Sequence, residues 1–80
     1  MFDHPVAVMV GKRKVVVRQV EQALDLLMND WPTRRGPRHR DALETCLKVL
    51  DGHRSTVDAE IRFREAAQEA GINLDRVEIG

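Results

Sequence analysis

The stretch that decides the fold covers residues 6–17 and reads Val6-Ala7-Val8-Met9-Val10-Gly11-Lys12-Arg13-Lys14-Val15-Val16-Val17. It contains two valine-rich runs, and β-branched residues favour extended strands. A glycine and three cations separate the two runs, as is typical of the polar turn of a hairpin. Pro5 precedes the first run, at a position where a missing backbone N–H does least harm to a strand. The stretch therefore predicts a β-hairpin that begins near Val6.

After Arg18 the apolar residues recur with the period of a helix instead of a strand. The apolar stripe consists of Val20, Ala23, Leu24, Leu27 and Met28. We expect this helix to end by Asp30, because Trp31 precedes Pro32 and a residue before proline is pushed out of the helical region. Trp31 lies where the chain turns toward the next helix, so we expect it to pack beneath that turn as a structural anchor.

A second helix is predicted to begin at Pro37, because the fixed φ of proline suits the first helical position. We expect residues 33–36 to be the loop before it. The apolar stripe of this helix consists of Ala42, Leu43, Cys46, Leu47, Val49 and Leu50. Gly52 follows Asp51 and is the residue best able to adopt the left-handed conformation that ends a helix.

A third helix is predicted directly after the second. Ser55 and Asp58 resemble a capping box, in which side chains satisfy the first backbone N–H groups of a helix. The stripe that follows consists of Ala59, Phe63, Ala66, Ala67 and Ala70, and its alanines permit a neighbour to approach closely. Gly71 is expected to end the helix, with Ile72 folded back on Ala67 in a Schellman-type ending.

The tail after Gly71 contains two short alternating pairs, Ile72 with Leu74 and Val77 with Ile79. They leave open a third strand near Val77, which would support a hairpin that is marginal on its own. Eighty residues have room for one hydrophobic core. We therefore predict a single α+β domain over residues 1–80, with the element order ββααα, or ββαααβ if the tail forms a strand.

The composition is an ordinary globular mixture, with 42% hydrophobic and 32% charged residues. The longest apolar run, Val6 to Val10, is far short of the roughly 20 residues that span a bilayer. The N-terminus lacks the features of a secretory signal. Cys46 is the single cysteine, so no intrachain disulfide can form. We therefore expect a cytoplasmic protein without a membrane partner.

The net charge is zero, but the charges are distributed unevenly. Residues 1–40 hold eight Lys or Arg against four Asp or Glu, whereas residues 41–80 hold five against nine. A basic half can indicate a nucleic-acid or phosphate partner. It can equally indicate two halves that complement each other within a monomer or across a dimer, and we favour this second interpretation.

The segment around the start of the second helix, residues 34–40, is strongly basic and contains Arg34, Arg35, Arg38 and Arg40. Guanidinium groups beside the unpaired N–H groups of a helix N-terminus suit a phosphate. The cations of the hairpin turn are expected to add to this site; they are Lys12, Arg13 and Lys14. The alternative is a solvated loop whose arginines pair with the acidic half or with a second subunit. Because the chain has no series of stacking aromatic residues, nucleic-acid binding is the second hypothesis and not the first.

The chain as a whole resembles a known family. The matching residues are Pro5-Val6, Trp31-Pro32, Gly36, Ala42, Cys46, Gly52, Ala59, Phe63, Ala66-Ala67 and Glu69-Ala70-Gly71-Ile72. In order and spacing, this set resembles the small bacterial proteins grouped as domain of unknown function 982. That family has no established activity, so the resemblance implies a fold without implying a substrate or cofactor. The family pattern has an arginine at the position of Glu60, an alanine at Arg62 and an aromatic residue at His39.

No residue pattern indicates catalysis or metal binding. Cys46 lies on an apolar stripe, so we expect a buried, unreactive thiol that acts as a structural anchor, and we expect the same role for Phe63. His4, His39 and His53 do not combine with Cys46 at the spacing of a metal site, so no metal or other cofactor is predicted. The carboxylates of the third helix are spread along its polar face without a partner for acid–base chemistry.

These observations favour a non-catalytic interaction or regulatory module that self-associates as a homodimer, since a core this small benefits from additional burial. The expected contact is either the edge of the hairpin or the alanine-rich face of the third helix. The second hypothesis is a nucleic-acid or phosphate-binding protein that uses the basic loop 34–40 and the hairpin turn 12–14.

Overall fold

The computed structural model describes residues 1–32 and 35–74. An antiparallel hairpin is followed by three helices: β1 (Val6–Val10), β2 (Arg13–Val17), α1 (Val20–Asn29), α2 (Pro37–Leu50) and α3 (Thr56–Ala70). This architecture confirms the predicted α+β class. The strand expected near Val77 lies outside the described residues. Within them, no helix is both long enough and apolar enough to cross a membrane.

The hairpin turns through only two residues, Gly11 and Lys12. Gly11 has a φ of 62°, which suits the first central position of a type II′ turn, where glycine is favoured. The prediction that Arg13 and Lys14 belong to the turn is wrong, because both pair with β1 as the first residues of β2. Their side chains are exposed, so their charges do not oppose strand formation.

The other edge of β1 pairs with the segment that follows α3. Asn73 forms an antiparallel bridge with β1. Met9 donates its backbone N–H to the carbonyl of Ile72 at 2.9 Å, and Leu74 donates to the carbonyl of Ala7 at 2.8 Å. β1 is therefore flanked on both sides, by β2 and by residues 72–74.

The helix α3 begins and ends as predicted. The Ser55 hydroxyl accepts the backbone N–H of Asp58 at 3.4 Å. At the other end, Gly71 has a φ of 74°, a left-handed conformation that glycine adopts without steric cost. Ile72 donates its N–H to the carbonyl of Ala67 at 3.0 Å, which confirms the Schellman-type ending.

The core lies between one face of the sheet and the three helices. Its fully buried side chains include Phe63, Leu27, Val6, Val8, Val17 and Cys46. The Phe63 ring lies 6.4 Å from that of Phe2 and 5.6 Å from that of Trp31, measured between centroids. The alanine-rich face of α3 is also buried within the chain, through Ala59, Ala66 and Ala67. That face is therefore not open to a second copy of the protein.

For three residues, the prediction that they lie on a buried apolar stripe is wrong. Met28 on α1 is 56% exposed, and Leu47 and Leu50 on α2 are each 46% exposed. The side chains that are buried in place of these three are Leu26, His39 and Thr45. The reason is that α2 packs against both α1 and α3, so the direction of its buried face depends on two neighbours as well as on its own pattern.

Candidate functional site

The structure separates the basic residues that the sequence groups together. Arg35 and Arg40 are exposed and, with Gly36 and Pro37, line a cavity of about 320 Å³. Neither arginine forms an ion pair with another described residue. Arg34 lies outside the described residues. The hairpin cations Lys12, Arg13 and Lys14, of which only Lys12 lies in the turn, do not line this cavity.

The N-terminus of α2, where a phosphate was expected, already holds a carboxylate of this chain. Glu69 accepts the backbone N–H of Arg38 at 3.2 Å and that of His39 at 3.3 Å. A Cβ on Gly36 would lie 2.5 Å from the Glu69 Oε2 atom, so the absence of a side chain at residue 36 permits this approach. The carboxylate complements the partial positive charge of the helix end and repels a second anion there.

Sequence reasoning missed the role of Glu69. The sequence places it on a solvated face of α3, and no short-range spacing relates it to a helix end 31 residues earlier. The only local signal was Gly36 directly before Pro37, because a glycine beside a helix start often permits a close approach.

A second carboxylate of α3 also contacts the basic segment. Glu65 accepts a hydrogen bond from Arg62 at 2.9 Å and lies 3.7 Å from Arg38. This hydrogen bond and the charge of Glu65 raise the pKa of Arg62. The acidic half of the chain thus contacts the basic half within one molecule, which is the kind of contact that the charge-complementarity interpretation requires.

Trp31, which follows α1, packs against His39 in the first turn of α2. Their ring centroids lie 5.8 Å apart, and both side chains are buried. The Nε2 atom of His39 lies 2.7 Å from the Leu27 carbonyl, so this nitrogen must carry the proton that it donates. The Trp31 Nε1 atom is buried without a partner among the described residues. His39 therefore has a structural role, in which it packs against Trp31 and bonds the end of α1.

Cys46 is fully buried on α2. Burial raises the pKa of its thiol to about 11, so the thiolate needed for nucleophilic attack is scarce near neutral pH. Within residues 1–32 and 35–74, no three His, Cys, Asp or Glu side chains lie close enough together to hold a metal ion.

Glu60 is the second carboxylate of α3 whose contacts could not be predicted from the sequence. Its buried carboxylate accepts the backbone N–H of His4 at 3.1 Å and a hydrogen bond from Arg64 at 3.4 Å. Arg64 also donates to the His4 carbonyl at 3.3 Å. These bonds fasten the N-terminal segment to α3, which assigns this pair a structural role.

The outer sheet face, defined here as the face turned away from the helices, carries Ala7, Met9, Lys14 and Val16. Met9 is 37% exposed, while Ala7 and Val16 are half-buried. Leu74 is 38% exposed and borders this face through its hydrogen bond to Ala7. Apart from Lys14, the outer sheet face is apolar.

The β2 edge, defined here as the side of β2 away from β1, carries unpaired backbone groups. The residues next to a two-residue turn exchange hydrogen bonds, so alternate residues of β2, Lys14 and Val16, direct their N–H and C=O groups away from β1. On β1 the equivalent residues are Ala7 and Met9, and their outward groups bond the segment after α3. Within the part of the chain that the structure describes, Lys14 and Val16 have no such partner.

Comparisons with known proteins identify the family alone. The sequence model described as Protein of unknown function (DUF982) matches residues 4–74. Neither the curated proteins nor the solved structures contain a match. Because the matched segment covers nearly the whole chain and contains all five elements, this chain belongs to the DUF982 family, whose function is unknown.

Proposed function

We propose that this domain is a non-catalytic interaction module that forms a homodimer through its outer sheet face. The observation that carries the proposal is that β1, and β2 from Val15 to Val17, are apolar on both faces, while the helices cover only one face of the sheet. Val6, Val8 and Val17 are buried against the helices, and Ala7, Met9 and Val16 face the other way. Continuous apolar strands are typical of sheets that are covered on both sides.

Of the contacts expected for a dimer, two are used within the chain, and the third, the β2 edge, carries exposed cations that would repel a second copy. The alanine-rich face of α3 is buried, and the outer edge of β1 bonds residues 72–74. The outer sheet face remains, and a second copy of the same face would bury the Met9 side chain against an equally apolar surface. A net charge of zero lowers the electrostatic repulsion between copies. We further propose a cytoplasmic location, since the single cysteine is a free thiol.

The test measures the molar mass in solution by light scattering for the wild type and two variants. Met9→Glu places a charge at the centre of the outer sheet face and is expected to give a monomer. Met28→Glu is the matched control, because Met28 is also exposed but lies on α1. A monomeric wild type would overturn the proposal, and so would a dimer that Met28→Glu dissociates and Met9→Glu leaves intact.

A second candidate is phosphate or nucleic-acid binding through Arg35 and Arg40. It is favoured by the exposure of these two side chains around a cavity of about 320 Å³. Glu69 limits it, because the backbone N–H groups of the nearby helix end already bond that carboxylate. The hypothesis predicts binding to a single-stranded oligonucleotide that weakens as salt rises and when Arg34, Arg35, Arg38 and Arg40 are changed to Gln. No retention on nucleic acid at low salt would exclude it.

A further inference from the structure

We propose that the β2 edge binds an extended, acidic segment of a partner protein as an added β-strand. The proposal combines two features of the same few residues. The edge presents unpaired backbone groups, and the side chains around it are all cationic or apolar. Strand addition uses such an edge for affinity and the alternating side chains for specificity.

The backbone groups of Lys14 and Val16 provide the hydrogen bonds. Both direct N–H and C=O away from β1, and neither has a backbone partner within the described residues. On the opposite side of the sheet, residues 72–74 already form bonds of this kind with β1. The sheet thus accepts a short extended segment on one edge and has the same bonding pattern free on the other.

The charges around the edge favour an acidic occupant. Lys12, Arg13, Lys14 and Arg18 are exposed, and none of them forms an ion pair with another described residue. No Asp or Glu occurs from residue 4 to residue 20. Natural proteins place lysines on open edges to prevent unwanted pairing, so a strand that does bind must carry the opposite charge.

A second copy of β2 does not fit this edge. Antiparallel pairing of two β2 strands around Val15 would place Lys12 of each copy opposite Arg18 of the other. Like charges directly across a pair of strands are destabilising. An acidic strand has no such conflict, because its acidic side chains would lie beside Lys14 on the outer sheet face and its alternate apolar side chains beside Val15 on the opposite face. The occupant is therefore an extended segment in which acidic and β-branched residues alternate.

The test uses the full-length protein and a peptide of alternating glutamate and valine with blocked ends. Amide hydrogen exchange is followed by NMR in the free and peptide-saturated protein. We expect exchange at Lys14 and Val16 to slow by at least about tenfold, because their N–H groups become bonded in the complex. Exchange at Val15 and Val17, which already bond β1, should change little. Unchanged exchange at Lys14 and Val16 would overturn the proposal.

Two controls separate strand addition from simple charge attraction. A peptide methylated on alternate backbone nitrogens keeps its charge but loses its donors, and it should not bind. A peptide with glutamine in place of glutamate keeps its donors but should bind at least about tenfold more weakly. Equal binding of either peptide would contradict the proposal.

The matched protein variants are Lys14→Glu and Lys48→Glu, since Lys48 is an exposed cation on α2. Lys14→Glu should weaken binding of the peptide by about tenfold, because Lys14 adjoins the added strand. Lys48→Glu should change the binding little, because Lys48 lies on α2. If both variants lost the same affinity for the peptide, the net charge of the protein would explain the binding, and the proposal would be overturned. The peptide is tested apart from the homodimer in the Met9→Glu monomer, which retains the backbone groups of the β2 edge.

Discussion

At the residue scale, Glu69 and Gly36 act as a pair that fixes the start of α2. The carboxylate bonds two N–H groups at the helix N-terminus, and the missing side chain at residue 36 makes room for it. Glu69→Ala should lower the free energy of unfolding by about 1–2 kcal/mol, because both bonds are lost. Urea denaturation measures this change, with Gln68→Ala as the exposed control.

The contact between Gly36 and Glu69 leads to a second prediction, which a double mutant tests. Gly36→Ala should destabilise the wild type by about 1 kcal/mol, because the new Cβ displaces the carboxylate. In the Glu69→Ala background it should be neutral or stabilising, since alanine then only reduces the freedom of the unfolded chain. Additive losses in the double mutant would show that Gly36 serves another purpose.

Trp31 is the residue whose loss should matter most. Trp31→Ala removes a buried ring that contacts Phe63 and His39, and it should cost about 3–5 kcal/mol. Trp31→Phe should be tolerated much better, because the indole nitrogen has no partner among the described residues. Thermal unfolding followed by circular dichroism distinguishes the two. An unchanged melting temperature for Trp31→Ala would refute the role of Trp31 as an anchor.

The burial of Cys46 makes the stability of the folded protein depend on pH. The pKa of its thiol is raised from 9.0 to about 11 by burial, so the folded state holds its proton more tightly than the unfolded state. The resulting stability is fully present below pH 9 and is lost as the pH rises toward 11. At pH 8 a thiol reagent should therefore react with Cys46 only as fast as the chain opens. Rapid modification of the folded protein would contradict this account.

At the scale of elements, the parts of the fold that could be predicted are those with local causes. The hairpin follows from two valine runs around Gly11, and the end of α3 follows from Gly71 and Ile72. The buried face of α2 could be predicted only in part, through Ala42 and Cys46, because two neighbouring helices determine the rest of it. The site residue Glu69 is missed for the same reason, since it meets α2 only after the chain folds back.

The strand β1, which lies between β2 and residues 72–74, leads to a prediction about amide hydrogen exchange in the protein without a bound peptide. The Met9 amide should be protected because it bonds Ile72, whereas the Lys14 and Val16 amides on the β2 edge should exchange quickly. Leu74→Pro removes the donor to Ala7 and should speed exchange at Met9, while Leu74→Ala keeps that donor and should not. Slow exchange at Lys14 and Val16 would mean that the edge is already occupied.

At the scale of the whole molecule, some charged side chains form contacts within the chain, and others remain exposed on the sheet. The acidic α3 contacts the basic N-terminus of α2 through Glu65 and Glu69, so much of the opposite charge of the two halves is used internally. The cations of the β2 edge have no ion-pair partner among the described residues, and the outer sheet face is apolar. Both surfaces lie on the sheet, which has two strands and is therefore the part of the fold that a partner would stabilise most.

The most direct test of the homodimer proposal is an isotope-filtered NOE experiment on a mixture of labelled and unlabelled chains. Only contacts between copies give signals in such a sample. The account predicts cross-peaks from the Met9 methyl group to Ala7, Val16 or Leu74 of the other copy. Cross-peaks that arise instead from Leu47, Leu50 or Met28, or the absence of any cross-peak between copies, would contradict it.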